Sequence, residues 1–199
     1  PFQRGILRQV RSLLEGRRRA MVSSFTGTGK TRMGMEYVVD LLSSDEEPLV
    51  IWVAQKGELL DQACGAIEQI WPWRGQECGE PLRVFRFYEG ARFDEEIPRR
   101  PTLVVASSQQ MLARIESDDP FARAVLARAG LLVIDEAHHA LAPGHQVLIR
   151  EYEKARGSAV RRTLGLTATP GRSNLLDPSE SRQLAQLFGQ VLVVPKVAH

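Results

Sequence analysis

Short apolar segments rich in β-branched residues alternate along this chain with longer amphipathic segments, and this alternation limits the fold more than any other feature. Residues 49–54 (LVIWVA) are apolar throughout, as a strand covered on both faces of a sheet must be. Strands are predicted at 20–23, 49–54, 82–87, 102–106, 131–135, 163–167 and 190–194. Strands that alternate with helices build a parallel sheet with helices on both faces. We therefore expect an α/β domain with a parallel sheet of about seven strands.

Apolar residues at helical spacing lie between these strands and predict the helices. Ile6, Leu7 and Val10 begin such a pattern in the first predicted helix, residues 3–15. Further helices are predicted from near Lys30, through 60–70, and over 108–116, 120–129, 144–156 and 179–188. Two segments have the composition of surface loops, namely 71–81, which begins with Trp71-Pro72-Trp73, and 88–101. The length of 199 residues and the lack of a linker favour a single domain over 1–199.

Charge and hydropathy restrict the partners and the compartment. The net charge of +2 does not require a polyanionic partner, although residues 1–32 carry seven arginines and Lys30 against one acid. No apolar run approaches the roughly 20 residues that span a bilayer, and no signal peptide precedes the first predicted helix. We expect a cytoplasmic protein without a membrane partner. The missing initiator methionine suggests a piece of a longer protein.

A loop of glycines and threonines joins the first predicted strand to the second predicted helix, with the sequence SFTGTGKT at 24–31. Strand, loop and helix in this order are the setting of a phosphate-binding loop. Gly27 and Gly29 let successive backbone N–H groups turn toward the phosphates, and the start of the helix adds its positive dipole end. Lys30 supplies a positive charge, and the Thr31 hydroxyl is a candidate ligand of Mg²⁺. The strict pattern begins with glycine where this chain has serine, and a glycine-rich turn without a ligand is the alternative.

Two adjacent carboxylates, Asp135 and Glu136, follow the apolar residues 131–134. Because the carboxyl ends of parallel strands form the ligand crevice, these acids are expected at the same edge of the sheet as the phosphate-binding loop. Asp135 is then a candidate ligand of Mg²⁺ together with Thr31. Glu136 is the candidate base that orients and deprotonates water. A pair of acids that merely faces solvent is the alternative, and the phosphate-binding loop makes it the weaker one.

Three motifs, in the order of the chain, resemble motifs I, II and III of superfamily 2 helicases. They are TGTGKT at 26–31, Asp-Glu-Ala-His at 135–138 and Thr-Ala-Thr-Pro at 167–170. The sequences DEAHH and LTATPGR are similar to the type III restriction-subunit-like branch of the DEAH-box proteins. The resemblance covers nearly the whole chain and implies a P-loop NTPase of RecA-like fold, the first of two such lobes. The second lobe is expected outside this chain.

The resemblance also implies roles for particular residues around ATP. The nucleotide would be bound by Gln3, which reads the adenine, and by Thr26, Gly27, Thr28, Gly29, Lys30 and Thr31. The catalytic set would be Lys30, Asp135, Glu136 and His138. His138 would also bridge the ATP site to motif III, which contributes Thr167, Ala168 and Thr169. Neighbouring residues on a helix point about 100° apart, so the pair His138 and His139 is not expected to bind a metal; His139 would be a packing residue.

Four further residues are implied to meet a nucleic-acid backbone: Lys56, Ser107, Ser108 and Gln109. Small polar side chains and exposed N–H groups at a helix start suit phosphates and read no base. A helix N-cap formed by Ser107 or Ser108 is a compatible alternative. Trp71 and Trp73 could stack on bases, but a loop packed on the surface is the favoured interpretation.

Residues and resemblance together predict an ATP hydrolase of the helicase or translocase type that uses ATP and Mg²⁺. The expected partners are nucleic acid, with DNA favoured over RNA, the second RecA-like lobe, and a nuclease or methylase. The family places its arginine finger on the second lobe, so the lobe alone is expected to bind nucleotide and hydrolyse it weakly.

Two other functions stay open. A P-loop switch or assembly ATPase that does not act on nucleic acid is disfavoured by the Thr-Ala-Thr-Pro motif. Stimulation of ATP hydrolysis by nucleic acid, lost at high salt, would exclude it. A non-catalytic nucleic-acid-binding platform is disfavoured by the intact Lys30, Asp135 and Glu136, and an unchanged turnover after Glu136→Gln would favour it.

Overall fold

The computed structural model describes residues 2–16, 18–24, 29–44, 48–75, 79–88, 96–155, 160–168, 178–189 and 191–193. The strands in these ranges are β1 (Arg19–Ser23), β2 (Leu49–Ala54), β3 (Arg83–Phe87), β4 (Thr102–Ser107), β5 (Leu131–Asp135), β6 (Arg162–Thr167) and β7 (Val191–Val193). They form one sheet in the order β3-β4-β2-β5-β6-β1-β7, and all neighbours are parallel. The predicted parallel sheet of about seven strands is confirmed.

Helices connect the strands on both faces of the sheet. They are α1 (Phe2–Gly16), α2 (Lys30–Ser44), α3 (Gly57–Arg74), α4 (Ser108–Glu116), α5 (Pro120–Arg128), α6 (Pro143–Lys154) and α7 (Pro178–Phe188), with a 3₁₀ helix at Ala137–His139. The helix predicted through 60–70 extends further, to Gly57 and Arg74, and the ends of the other elements differ from the predicted ones by at most two residues. Fully apolar strands and regular helical spacing mark these ends clearly.

Alternate residues of each strand face two separate apolar layers. Trp52 and Val133 belong to the layer under α1, α2 and α3. Ile51 and Ile134 belong to the layer under α4, α5, α6 and α7. All four side chains are fully buried, as expected for central strands that are covered on both sides. The sheet is therefore a rigid platform for the residues at its edges.

The Trp71-Pro72-Trp73 segment lies in the last turn of α3, so the loop predicted there is wrong for these residues. Proline removes a backbone hydrogen bond from a helix and crowds the preceding turn. Side-chain contacts offset this loss, because Trp71 packs against the core and the Arg74 guanidinium pairs with two carboxylates of α2 at 2.9 and 2.7 Å. Trp73 is 85% exposed.

The register of the sheet brings the predicted functional residues to its carboxyl edge. Thr167 is paired with Ser23, the last residue before the phosphate-binding loop. Asp135 is paired with Leu166, which precedes Thr167 in β6. Ser107 is paired with Ala54 at the end of β2. Among the described helices, none is both long enough and apolar enough to cross a membrane.

Candidate active site

The phosphate-binding loop enters α2 through Gly29, whose φ of 77° is in the left-handed region that favours glycine. The Gly29 carbonyl accepts a hydrogen bond from the backbone N–H of Met33 at 2.9 Å. Lys30 and Thr31 lie in the first turn of α2 and are half-buried. The N–H groups of such a turn have no partner within the helix and favour an anion. Outside the described residues lie Thr26, Gly27, Thr28, Thr169 and the side chain of Gln3.

Asp135 ends β5 and is almost fully buried, with 2% of its surface exposed. Its Oδ1 accepts a hydrogen bond from the backbone N–H of Glu136 at 3.0 Å. Its Oδ2 is buried and has no hydrogen-bond partner in the part of the chain that the structure describes. Burial raises the pKa of Asp135 to about 6, although the charge of Lys30 and the Thr31 hydroxyl lower it. Asp135, Lys30 and Thr31 are therefore close together.

These oxygens fit a magnesium ion. Mg²⁺ prefers hard oxygen ligands and is usually held by one or two carboxylates, with water and substrate phosphates completing its shell. A cation beside Oδ2 of Asp135 would satisfy a buried oxygen that the described protein groups leave without a partner. Asp135 and Thr31, the two ligands predicted from the sequence, are the residues that could hold the ion.

Glu136 adopts a left-handed backbone conformation, with φ 53° and ψ 52°, which costs a non-glycine residue about 1–2 kcal/mol. The side chain is held from one side, because Nδ1 of His138 lies 3.1 Å from Oε2 of Glu136. The hydrogen bond from His138 lowers the pKa of Glu136. The ionised carboxylate is thus favoured, which is the form that a general base requires.

His138 also contacts motif III, because its Nδ1 lies 3.3 Å from Oγ1 of Thr167. Thr167 is fully buried, and its backbone carbonyl accepts a hydrogen bond from the N–H of Ser24 at 3.1 Å. Ser24 is the residue that replaces the glycine of the strict loop pattern. The structure therefore brings together the acid pair, the first histidine, motif III and the start of the phosphate-binding loop.

A cleft of about 550 Å³ joins these residues to a groove between α2 and α3. Its lining includes the predicted Gly29, Lys30, Thr31, Asp135 and Glu136, together with residues that the motifs do not indicate, namely Arg32, Leu59, Gln62, Gly65, Ala66 and Gln69. Most of the latter recur at helical spacing along α3, so the signal in the sequence was one face of that helix. The sequence did not show that this face of α3 lies beside the end of the phosphate-binding loop; the structure was needed to place it there.

The residues predicted to meet nucleic acid lie at the same edge, with different accessibility. Lys56 and Gln109 are exposed. Ser107 caps α4, since its Oγ accepts a hydrogen bond from the backbone N–H of Gln110 at 3.2 Å. Ser108 is buried, so its side chain does not face solvent. Ala168, which follows β6, is half-buried.

The two adjacent histidines do not diverge as expected for an α-helix. They lie on the 3₁₀ helix, and the centroids of the His138 and His139 rings are 4.0 Å apart with an angle of 45° between the planes. No group of three or more His, Cys, Asp or Glu side chains among the described residues could hold a metal ion. The pair is therefore a ring contact, and His139 is exposed rather than enclosed.

A family model described as the type III restriction enzyme, res subunit, matches residues 1–172. The chain belongs to this family. The type I restriction enzyme EcoKI endonuclease subunit of Escherichia coli strain K12 is 26% identical to the chain over 140 residues. That match covers 69% of this chain and 11% of the relative, so the chain spans about a tenth of the relative's length.

Two solved helicase structures share the fold of this res-subunit family chain. The helicase domain of Hef from Pyrococcus furiosus matches 97% of the chain with a TM-score of 0.68 and 19% identity, over 37% of its own length. The UvsW helicase from bacteriophage T4 matches 97% with a TM-score of 0.64 and 16% identity, over 59% of its own length. The chain therefore has a RecA-like α/β fold, as these helicase domains do.

Proposed function

We propose that this lobe binds Mg-ATP at the carboxyl edge of its sheet and forms half of a nucleic-acid-dependent ATPase, a helicase or translocase. The observation that carries the proposal is the convergence of a lysine, a buried carboxylate and an ionised glutamate on one cleft. Lys30 lowers the pKa of both acids, so its charge lies near them. An acid pair that merely faced solvent would not leave Oδ2 of Asp135 buried without a partner in the described residues.

The residues divide the chemistry between binding and proton transfer. Lys30 and the first turn of α2 would bind the phosphates of ATP, and Asp135 with Thr31 would hold Mg²⁺, which neutralises phosphate charge when bound. Glu136 would orient and deprotonate the attacking water. The His138 N–H keeps the Glu136 carboxylate in one position, at 3.1 Å. Thr167, which also contacts His138, would transmit changes at the ATP site to the other residues at the carboxyl edge of the sheet.

DNA is the favoured nucleic acid, and the support comes from the relatives. The protein from Escherichia coli is, by its name, the endonuclease subunit of a restriction enzyme, and the family is that of a restriction enzyme subunit. A second RecA-like lobe and a nuclease or methylase partner are proposed on the same basis. The lobe alone should turn over ATP slowly, because an arginine finger supplied from outside is worth about 10³–10⁵ in rate in related phosphoryl-transfer enzymes.

The test is the ATP turnover of the full-length protein without nucleic acid and with single-stranded DNA, duplex DNA or RNA. DNA should raise turnover, and added salt should remove the effect, because phosphate contacts release counterions. Glu136→Gln should lower the stimulated turnover by about 10²–10⁴, the usual contribution of a general base.

The matched control is Lys154→Ala, which removes an exposed charge at the far end of α6 and should change nothing. ATP turnover that is not changed by any of the nucleic acids would instead support a switch or assembly ATPase. Turnover that is unchanged in Glu136→Gln would support a platform whose ATP site is not catalytic. Stimulation by RNA alone would reverse the preference for DNA.

A further inference from the structure

The second histidine of the pair, His139, lies beside the site, and the motifs assign it no role in the chemistry. His139 ends the 3₁₀ helix that follows Glu136, and it is exposed. Its ring packs on the ring of His138 at 4.0 Å between centroids. His138 in turn contacts Glu136 and Thr167. A group that binds His139 from solvent would therefore bind a ring that contacts His138, the side chain that holds the candidate base.

A lysine lies beside this histidine at the same edge. β2 and β5 are neighbours in the sheet, with Val53 opposite Ile134, so Lys56 leaves β2 next to the point where the 3₁₀ helix leaves β5. Partial burial of the imidazole lowers the pKa of His139, and the charges of His138 and Lys56 lower it further. Lys56 is therefore within electrostatic reach of the His139 ring.

Both side chains are available to a ligand. Lys56 and His139 are exposed, and neither forms a side-chain hydrogen bond or ion pair with a residue that the structure describes. An imidazole carries at least one N–H donor in either protonation state, and a lysine ammonium carries three. A phosphate oxygen is the acceptor that suits such a pair of donors at a surface edge.

We propose that Lys56 and His139 bind one backbone phosphate of the nucleic acid, and that His139 transmits this binding to the catalytic glutamate through its ring contact with His138. The proposal rests on the proposed function and adds to it a specific role for His139, since the phosphate contact of Lys56 is already expected from the sequence. Lys56 contributes affinity alone. His139 contributes affinity through its N–H and, as a positioning residue, contributes stimulation of ATP turnover through its ring.

The two roles of His139 can be separated by substitution in the full-length protein. His139→Lys keeps a donor and loses the ring, whereas His139→Phe keeps a ring and loses the donor. Single-stranded DNA of defined length is the probe, and two quantities are measured: the DNA concentration for half-maximal stimulation of ATP turnover, and the maximal turnover at saturating DNA.

His139→Phe should raise the half-maximal DNA concentration about three- to tenfold, the effect of one lost contact to a charged group, with maximal turnover close to that of the wild type. His139→Lys should keep the half-maximal concentration within about twofold and lower the maximal turnover about fivefold, the scale of a lost aromatic contact. Lys56→Ala should raise the half-maximal concentration alone, and it should reduce the slope of affinity against salt by about one ion.

Lys154→Ala is again the control for a lost surface charge. Equal values for the two His139 variants, Lys56→Ala and the wild type would overturn the proposal. So would one common loss in all three variants together with lower thermal stability, since that pattern indicates a purely structural role. A wild type that does not respond to any nucleic acid would refute the proposed function itself, and this outcome is recognised before any variant is compared.

Discussion

Gly165→Ala tests whether packing beneath the acid pair sets the geometry of the candidate site. Gly165 lies in β6, directly under the 3₁₀ helix. A Cβ atom added there would lie 2.8 Å from Cβ of Ala137 and 2.7 Å from Cζ of Phe188. Both neighbours are fully buried. Ala137 is the residue between Glu136 and His138, so relief of this overlap must displace the segment that carries the site.

The magnitude follows from the two close contacts. Overpacking of a dense core costs about 1–3 kcal/mol, and alanine regains about 0.5–1 kcal/mol over glycine in a strand. The net loss of unfolding free energy should be about 1–2 kcal/mol, or roughly 2–8 °C in Tm for a domain of this size. Urea unfolding, followed by the fluorescence of the buried Trp52, measures this loss. ATP turnover should fall further than stability alone explains.

Gly5→Ala is the matched control, because a Cβ at Gly5 in α1 meets nothing within 4 Å. Alanine is the better helix former by about 1 kcal/mol, so this variant should be as stable as the wild type or more stable. If Gly165→Ala matched the wild type in both unfolding free energy and turnover, the packing of Ala137 would not control the site.

Three further predictions concern other parts of the chain. Arg161→Lys should lower the free energy of unfolding, measured in urea, by about 2 kcal/mol. A lysine cannot replace the guanidinium that donates to the Leu126 and Ala155 carbonyls at 2.5 and 2.6 Å. An unchanged free energy of unfolding would contradict this. Burial lowers the pKa of His145 below 6.5. Below that pH the unfolded chain therefore binds a proton that the folded chain does not. The free energy of unfolding should then fall by up to about 1.4 kcal/mol per pH unit until the pKa of the folded state is reached. His145→Phe should flatten this slope below pH 6.5, and equal slopes in the two proteins would refute the cause. Gly29→Ala should weaken Mg-ATP binding about fivefold or more, since φ is 77° at this position and the left-handed region costs alanine about 1–2 kcal/mol; a calorimetric affinity equal to that of the wild type would contradict it.

The sheet and its connections could be predicted because burial on both faces leaves a clear pattern. Residues 49–54 and 131–135 hold no polar side chain before the final aspartate, and each forms a strand with the predicted ends. The last turn of α3 could not be predicted. Local preference around Pro72 favours a loop, whereas contacts from distant residues, such as the carboxylates that pair with Arg74, hold the helix.

The candidate site also has features that the sequence predicts and features that it does not. Motif spacing indicated Lys30, Asp135 and Glu136, because the chemistry of phosphate and Mg²⁺ demands those residue types at strand ends. The left-handed backbone of Glu136 had no signal, since a glutamate does not favour it and only the surrounding packing imposes it. The contact between the rings of His138 and His139 depends on a 3₁₀ turn, which the sequence does not distinguish from an α-helix.

The most direct test of the nucleotide site is the affinity for Mg-ATP, measured by titration calorimetry on the wild type, Lys30→Ala and the control Lys154→Ala. The wild type should bind one nucleotide. Lys30→Ala should bind about 10- to 100-fold more weakly, the effect of a lost charged contact to phosphate, and Lys154→Ala should bind as the wild type does. Equal affinity of all three proteins, or no binding by the wild type, would contradict a nucleotide site built on Lys30 and the acid pair.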